Sequence, residues 1–413
     1  MTIYVAVPKK SSIRLWGLDS QRRLQRQLTE IMKETEDGPN ELVWLDKAED
    51  APEGSSVLLV NGAFLFEKRT LKGVLQNPGK LLLYPHPERV AAVLAERDRL
   101  EAALGCFEGE IRQVPAGFGS MYSRDLAAFD EYLRRSTRPL LEPISPENRR
   151  QLENELYGNA YRGITDLVTK FVFPKPAKQA VRLCAHLGIT PNMVTTTGLA
   201  LVIVASYCFL NGQYGWGLVA GWCMTFLDTV DGKLARVTVR SSKAGHLFDH
   251  VIDLFHPPFW YLFWGMSLQH FEPVLGMDRY QFYWLIVAAY VTGRMAEGLF
   301  ALLGHCSIFT WRPVDAWFRL VTARRNPSLI MLTVSAALDR PDWGFAAVAL
   351  WSAITTLILL LRLAYATTKR ISNGPLHSWL EEENVASGPH AGSYRIFGAT
   401  RGAYARTSRK AAV

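Results

Sequence analysis

Cysteine is scarce in this chain: five residues in 413, at positions 106, 184, 208, 223 and 306. None stands in a paired spacing, so neither a disulfide framework nor a cysteine-rich zinc site is indicated, and the thiols read as reduced bystanders. The start of the chain holds only a short apolar stretch, 3–7, too brief for a secretory signal. No internal repeat is visible. The formal net charge is +8, yet no recognition motif accompanies it, and no nucleic-acid role is expected. Long apolar runs are missing before residue 190 and crowd together after it, in a chain that is 49% hydrophobic with 12 Trp. The length suggests two or three domains.

The apolar half divides into six expected spans, at about 193–210, 215–236, 244–267, 281–303, 327–338 and 343–367. A perpendicular crossing takes roughly 17–25 residues. The fifth segment falls short, so it must borrow flanking polar residues or lie deep in the bundle. Lys and Arg crowd four places: before the first span (Lys170, Lys175, Lys178, Arg182), between spans 2 and 3 (Lys233, Arg236, Arg240, Lys243), between 4 and 5 (Arg312, Arg319, Arg324, Arg325), and after span 6 (Lys369, Arg370). The other connections carry few. The positive-inside rule then puts both termini on the cytoplasmic side. The positive charge also suits anionic lipid and phosphate-bearing substrates.

Four aspartates stand at the cytoplasmic ends of spans 2 and 3. Asp228 and Asp231 are three apart and Asp249 and Asp253 four apart, so each pair shares one helix face. Two antiparallel helices joined by 237–244 could bring all four carboxylates to one point. Unpaired, they would repel one another. A hard divalent cation, or a pair of them, removes that cost, and oxygen donors suit Mg²⁺ or Mn²⁺. His246 and His250 flank Asp249, but an oxygen donor set disfavours them as ligands. His256-Pro257-Pro258 is expected to kink span 3.

The run D-x2-D-G-x2-A-R-x8-G-x3-D-x3-D resembles the signature of the CDP-alcohol phosphotransferase family, with every fixed position matched, and Thr190-Pro191-Asn192 opens the first span as in many members. The resemblance covers roughly 165–370. It implies transfer of a phosphoalcohol unit from a CDP-alcohol to an acceptor hydroxyl, with CMP leaving, in phospholipid or polar-head-group synthesis at an inner (cytoplasmic) membrane. It further implies Asp228, Asp231 and Asp249 as metal ligands and Asp253 as general base, in reach of a second ion. Gly232 and Ala235 are implied to lie against the cytidine, where close helix packing is the alternative for Gly232. Arg236 suits the donor diphosphate through its forked guanidinium. Ser242 and Gly245 are implied nucleotide neighbours. Asn192 is either a donor contact or a helix N-cap. The family's usual homodimer is implied as well. Arg294 and Glu297 fall inside span 4 and are read either as an anion site for a phosphorylated acceptor such as inositol phosphate or as an internal ion pair. Arg324 and Arg325 are either acceptor-phosphate ligands or flanking charge.

Residues 1–107 read as a soluble α/β domain, with strands at 3–7, 42–45, 57–60 and 80–84 and helices at 21–33 and 87–104, an alternation that suggests a parallel sheet. This part faintly resembles a nucleotidyltransferase. Ser12-Ile13-Arg14-Leu15 stands where that family has a Gly-rich phosphate loop, and Leu59-Val60-Asn61-Gly62-Ala63 where it has a strand ending in Asn-Gly-Asp. The missing loop glycines and Ala63 imply that cytidylyl transfer is lost. Residues 108–189 form a connector. It has amphipathic helices expected at 124–135 and 149–161, and 165–189 is either an interfacial helix kinked near Pro174 and Pro176 or a buried helix of the soluble domain. Residues 190–370 form the membrane domain, and 371–413 a basic, mostly disordered tail. The fold class is therefore an α-helical polytopic membrane protein of six spans with an N-terminal α/β domain. Two rivals remain: a bifunctional cytidylyltransferase/phosphotransferase, and a non-catalytic membrane scaffold.

Overall fold

The computed structural model describes residues 2–34, 41–111, 113–240, 243–382 and 384–398, without the side chains of 243–250. The N-terminal part is built on strands β1 (Thr2–Ala6), β2 (Glu41–Leu45), β3 (Ser56–Val60), β4 (Phe64–Phe66), β5 (Lys80–Tyr84), β6 (Arg89–Glu96) and β7 (Gly119–Tyr122). Six of them form one sheet in the order β2-β1-β3-β6-β5-β7. Helices α1 (Ser20–Glu34) and α2 (Lys68–Leu75) cover one face through Leu24, Leu28, Ile31, Leu71 and Val74. Helix α3 (Leu100–Gly105) and Phe107 cover the other. A sheet buried on both faces needs apolar side chains on both, so β3 and β6 read as unbroken apolar runs.

Two expectations fail here. The sheet is mixed, because β6 runs antiparallel to both β3 and β5. Residues 89–96 are strand, not helix. Their alanines favour a helix in isolation, but a slot between two buried strands overrides that propensity. The sheet also recruits β7 from beyond residue 107, parallel to β5. The helix expected at 124–135 is a short 3₁₀ turn, Ser123–Asp125, followed by a small hairpin pairing Phe129–Asp130 with Arg135–Ser136. There Arg69 and Arg135 share Glu67.

Helix α4 (Arg149–Asn159) then leads to a π-helical turn at Val168–Val172 and helix α5 (Pro174–Leu187). Pro174 starts α5 and does not kink a longer helix, since proline fits the first helical turn. Phe171, Val172, Leu183 and Leu187 are exposed, while Ala177 and Val181 are buried. Six helices stand where spans are expected: α6 (Pro191–Leu210), α7 (Tyr214–Val237), α8 (Lys243–Met266), α9 (Arg279–Gly304), α12 (Arg325–Ala337) and α13 (Pro341–Asn373), with the short α10 (Ile308–Trp311) and α11 (Pro313–Val321) between α9 and α12. Among the described residues, three of these, α6, α9 and α13, are long and apolar enough to cross a membrane. Helix α12, at 13 residues, is about 20 Å long and shorter than a hydrocarbon core.

Helix α8 runs through Pro257 and Pro258 without a break. Pro258 has no N–H for the Leu254 carbonyl, and the Tyr290 hydroxyl donates to that oxygen instead at 2.6 Å. Buried indoles are satisfied too: Trp260 donates to Ser206 at 3.0 Å and Trp264 to the Pro341 carbonyl at 2.9 Å.

The tail is ordered further than its composition suggests. Trp379, Leu380 and Phe397 are buried in a cluster with Phe300 and Trp311, and helix α14 (Ala391–Phe397) ends the described chain. A few large apolar side chains in a Gly- and Ser-rich stretch suffice to dock it. Residues 399–413 of the expected tail lie outside the described residues. The two halves are pinned together where Arg23 donates to the Val237 carbonyl at 3.0 Å and Arg26 to that of Thr238 at 2.7 Å. Both acceptors are free carbonyls at the end of α7, the end a cation favours.

Candidate active site

Helices α7, α8 and α12 meet at their charged ends around a cavity of about 230 Å³. Asp228 from α7 and Asp253 from α8 both line it. The guanidinium of Arg325, the first residue of α12, lies between them. Its Nη1 donates to Asp253 Oδ1 at 2.6 Å and its Nη2 to Asp228 Oδ2. Two carboxylates on separate helices are thus close enough to share one planar cation. Arg325 bridges two carboxylates at the cavity wall, a role that neither reading named.

Asp231 is 5% exposed and turns from the cavity toward α6, where Thr195 Oγ1 donates to its Oδ2 at 2.7 Å. Asp253 is the most open of the three, with a side chain 37% exposed against 20% for Asp228. Asp249 stands one turn before Asp253 on α8, and its side chain lies outside the described residues, as does that of His246; Ser242 is outside them altogether. Gly245 is on the first turn of α8.

The remaining expected residues divide. Gly232, Lys233 and Arg236 line the cavity. A Cβ on Gly232 would meet Arg236 Nη1 at 3.5 Å, so the glycine face is covered by a guanidinium. Ala235 lines a separate cavity of about 650 Å³ between α1, α2 and the end of α7, which Arg236 also borders. Asn192 is exposed and lines neither cavity, and it is not the cap of α6. Thr190 is, accepting from the Met193 N–H.

On the far wall, Glu297 takes two cations, Arg294 at 3.4 Å and Arg324. The internal-pair reading of Arg294 and Glu297 therefore holds, but with guanidinium in excess. Arg319 adds a third, buried, with Nε and Nη1 lacking hydrogen-bond partners in the structure. Asp166 of the connector and Glu297 are the anions that attract it. Burial pushes the Asp166 carboxyl up, but Arg319 and hydrogen bonds from Thr169 and Asn326 hold it below the usual carboxylate range. Asn326 Nδ2 donates to Asp166 at 2.9 Å, and Asn326 in turn accepts from Thr225 of α7. This chain fixes the residue that follows Arg325, and so the start of α12.

Comparison with known proteins fits this geometry. Residues 188–305 match the family model described as CDP-alcohol phosphatidyltransferase. Over that stretch the chain is similar to a CDP-alcohol phosphatidyltransferase domain. Three relatives resemble it locally. An archaetidylinositol phosphate synthase of Pyrococcus horikoshii is 40% identical over 19% of this chain and 42% of its own length. A phosphatidylinositol phosphate synthase of Streptomyces avermitilis is 36% identical over 16% of the chain and 28% of its own length. A cholinephosphotransferase 1 of Gallus gallus is 34% identical over 27% and 35%. The chain thus spans less than half the length of each. The matched stretch contains all of α6 to α9, and Arg294 and Glu297 lie within it; the sheet, Asp166 and Arg325 lie outside.

Asp228 and Asp253 offer hard oxygen donors of the kind a divalent ion takes, at one point on Arg325, whereas Asp231 turns toward Thr195 and no group of three possible ligands is gathered among the described residues. The sequence missed Thr195, Asp166 and Asn326. A threonine one turn after Pro191 in an otherwise apolar helix was the available signal for the first. The other two are separated by 160 residues and had none.

Proposed function

We propose that this chain transfers a phosphoalcohol unit from a CDP-alcohol to an acceptor hydroxyl, releasing CMP. The observation that carries the reading is the pair Asp228 and Asp253, brought together from two helices at one cavity inside the matched domain. The acceptor oxygen bonds to the β-phosphorus, the bond from that phosphorus to the CMP oxygen breaks, and the hydroxyl proton passes to Asp253. Asp253 suits the base role because it is the most open carboxylate of the three described. Asp228, Asp231 and Asp249, with Asp253, would hold Mg²⁺ or Mn²⁺, in one or two ions. The ion would supply charge neutralisation for the diphosphate and acidify the hydroxyl.

The acceptor is inferred to carry a phosphate of its own. Arg294, Arg319 and Arg324 face the cavity with two carboxylates, Glu297 and Asp166, among them. Two of the relatives are named archaetidylinositol phosphate synthase and phosphatidylinositol phosphate synthase. A phosphorylated polyol would take up the unused guanidinium donors. The protein is further inferred to cross an inner membrane six times with its site and both ends cytoplasmic, α12 deep in the bundle, and to work as a homodimer. The N-terminal sheet is inferred to be silent in cytidylyl transfer, because Ala63 offers only its backbone, with its N–H donated to Asn61 at 3.0 Å. A non-catalytic scaffold would have little reason to hold Asp228 and Asp253 at an internal cavity.

The test is CMP release by the purified chain in detergent with Mg²⁺, given CDP-diacylglycerol or CDP-inositol and acceptors with and without a phosphate. Asp253→Asn should lose at least about a thousandfold in rate. CMP release by the variant within tenfold of the parent would sink the assignment of the base. No release from any pair would sink the reading itself.

A further inference from the structure

Lys233 lies on α7, 5% exposed, and lines the cavity. No carboxylate among the described residues is within ion-pair distance of its ammonium. That group instead sits 4.0 Å from the centroid of the Tyr161 ring. Arg236, three residues on, and Arg162 of the connector line the same cavity, and both repel Lys233. A buried ammonium among like charges is costly unless an anion joins it. The two carboxylates nearest along α7 do not serve, since Asp228 is bonded to Arg325 and Asp231 to Thr195.

We propose that Tyr161, Arg162 and Lys233 form, with Arg236, a phosphate subsite for the nucleoside diphosphate part of the donor, so that the connector is part of the donor site. The proposal rests on the transferase reading above. Its parts are held in place. The Ala160 carbonyl accepts from Arg236 Nη1 at 3.0 Å. The Tyr161 and Tyr157 hydroxyls are 2.8 Å apart, and Tyr157 donates to the Pro174 carbonyl at 3.0 Å. The ring that seats Lys233 is therefore tied to the start of α5. The wall differs from that of Arg294, Arg319 and Arg324, which carries its own carboxylates, Glu297 and Asp166. Its guanidinia lie over the Tyr132 ring, and such forked groups suit two phosphates bonded in sequence.

The experiment measures binding of cytidine, CMP and CDP to the full chain by calorimetry, in neutral detergent with Mg²⁺. Arg162→Gln, at an exposed position, should weaken CDP about tenfold and leave cytidine unchanged. Lys233→Met should weaken CDP at least as much, and Lys233→Arg should restore it to within about threefold. Inorganic phosphate should compete with CDP on the parent and less well on Arg162→Gln. Unchanged CDP binding in Arg162→Gln and Lys233→Met would overturn the subsite while leaving the transferase reading intact, as would equal losses for cytidine and CDP. A parent chain that binds no CDP overturns both.

Discussion

The sheet half and the helical half of this protein bury charge in opposite ways. In the sheet, β3 and β6 are covered on both faces by aliphatic side chains, and the main buried cation, Arg135, is paired with Glu67 and Asn159. In the helical half, Asp228, Asp253, Arg294, Arg319, Arg324 and Arg325 converge on one cavity from five segments. The buried cations of the sheet half find their partners within the fold, Arg135 in Glu67 and Arg23 in the Leu15 and Val237 carbonyls. Those of the cavity do not, since its cations outnumber its carboxylates, and a ligand is the missing partner. The contrast separates charge that holds a fold from charge that waits for a substrate.

The largest expected break in that contrast is chemical. If the sheet half only supports, the chain given CTP, Mg²⁺ and a phosphorylated alcohol releases no diphosphate, while the CDP-alcohol reaction proceeds. Diphosphate release above an enzyme-free background, and retained in Asp253→Asn, would make the sheet a second catalytic centre. It would then need a metal ligand other than position 63.

A smaller effect sharpens the comparison within the cavity. Arg324 pairs with Glu297, which Arg294 also holds, so Arg324→Gln should leave Glu297 paired and the fold intact. The KM for a phosphorylated acceptor should rise about tenfold, with the donor KM within about twofold. Equal rises in both would place Arg324 outside the acceptor wall.

How much of this was legible depended on sequence distance and on what burial costs. The aspartate run was readable because charge in an apolar helix demands a reason, and both its spacing and its helices appear in the structure. The helices of the bundle were readable from apolar length, including the short α12. Strand β6 was not, because Arg89–Glu96 has helical composition and only its neighbours β3 and β5 make it a strand. The role of Arg325 was not readable either. Nothing local distinguishes it from Arg324, yet one reaches Asp228 and Asp253 and the other Glu297. The docked tail was hidden for the same reason, its Trp379 and Phe397 being few among small residues.

The smallest expected effect concerns the link between the halves. Asp166, in the connector, has its carboxyl held below the usual range by Arg319, Thr169 and Asn326 against the upward push of burial. A carboxyl lowered in the folded state contributes stability above its unfolded pKa and loses it as pH falls through the folded value. The reference value is 3.8, so the contribution should be complete at neutral pH and fade below about pH 4. Thermal melts of the parent and of Asp166→Asn, taken from pH 7 down to pH 3, should therefore differ most at neutral pH and converge in acid. Asn keeps the shape but not the charge, and leaves Arg319 without its anion, which costs on the order of 1–3 kcal/mol for a buried group. A constant gap across the range would mean that Asp166 acts through hydrogen bonds alone, and that Arg319 finds its counter-charge at Glu297.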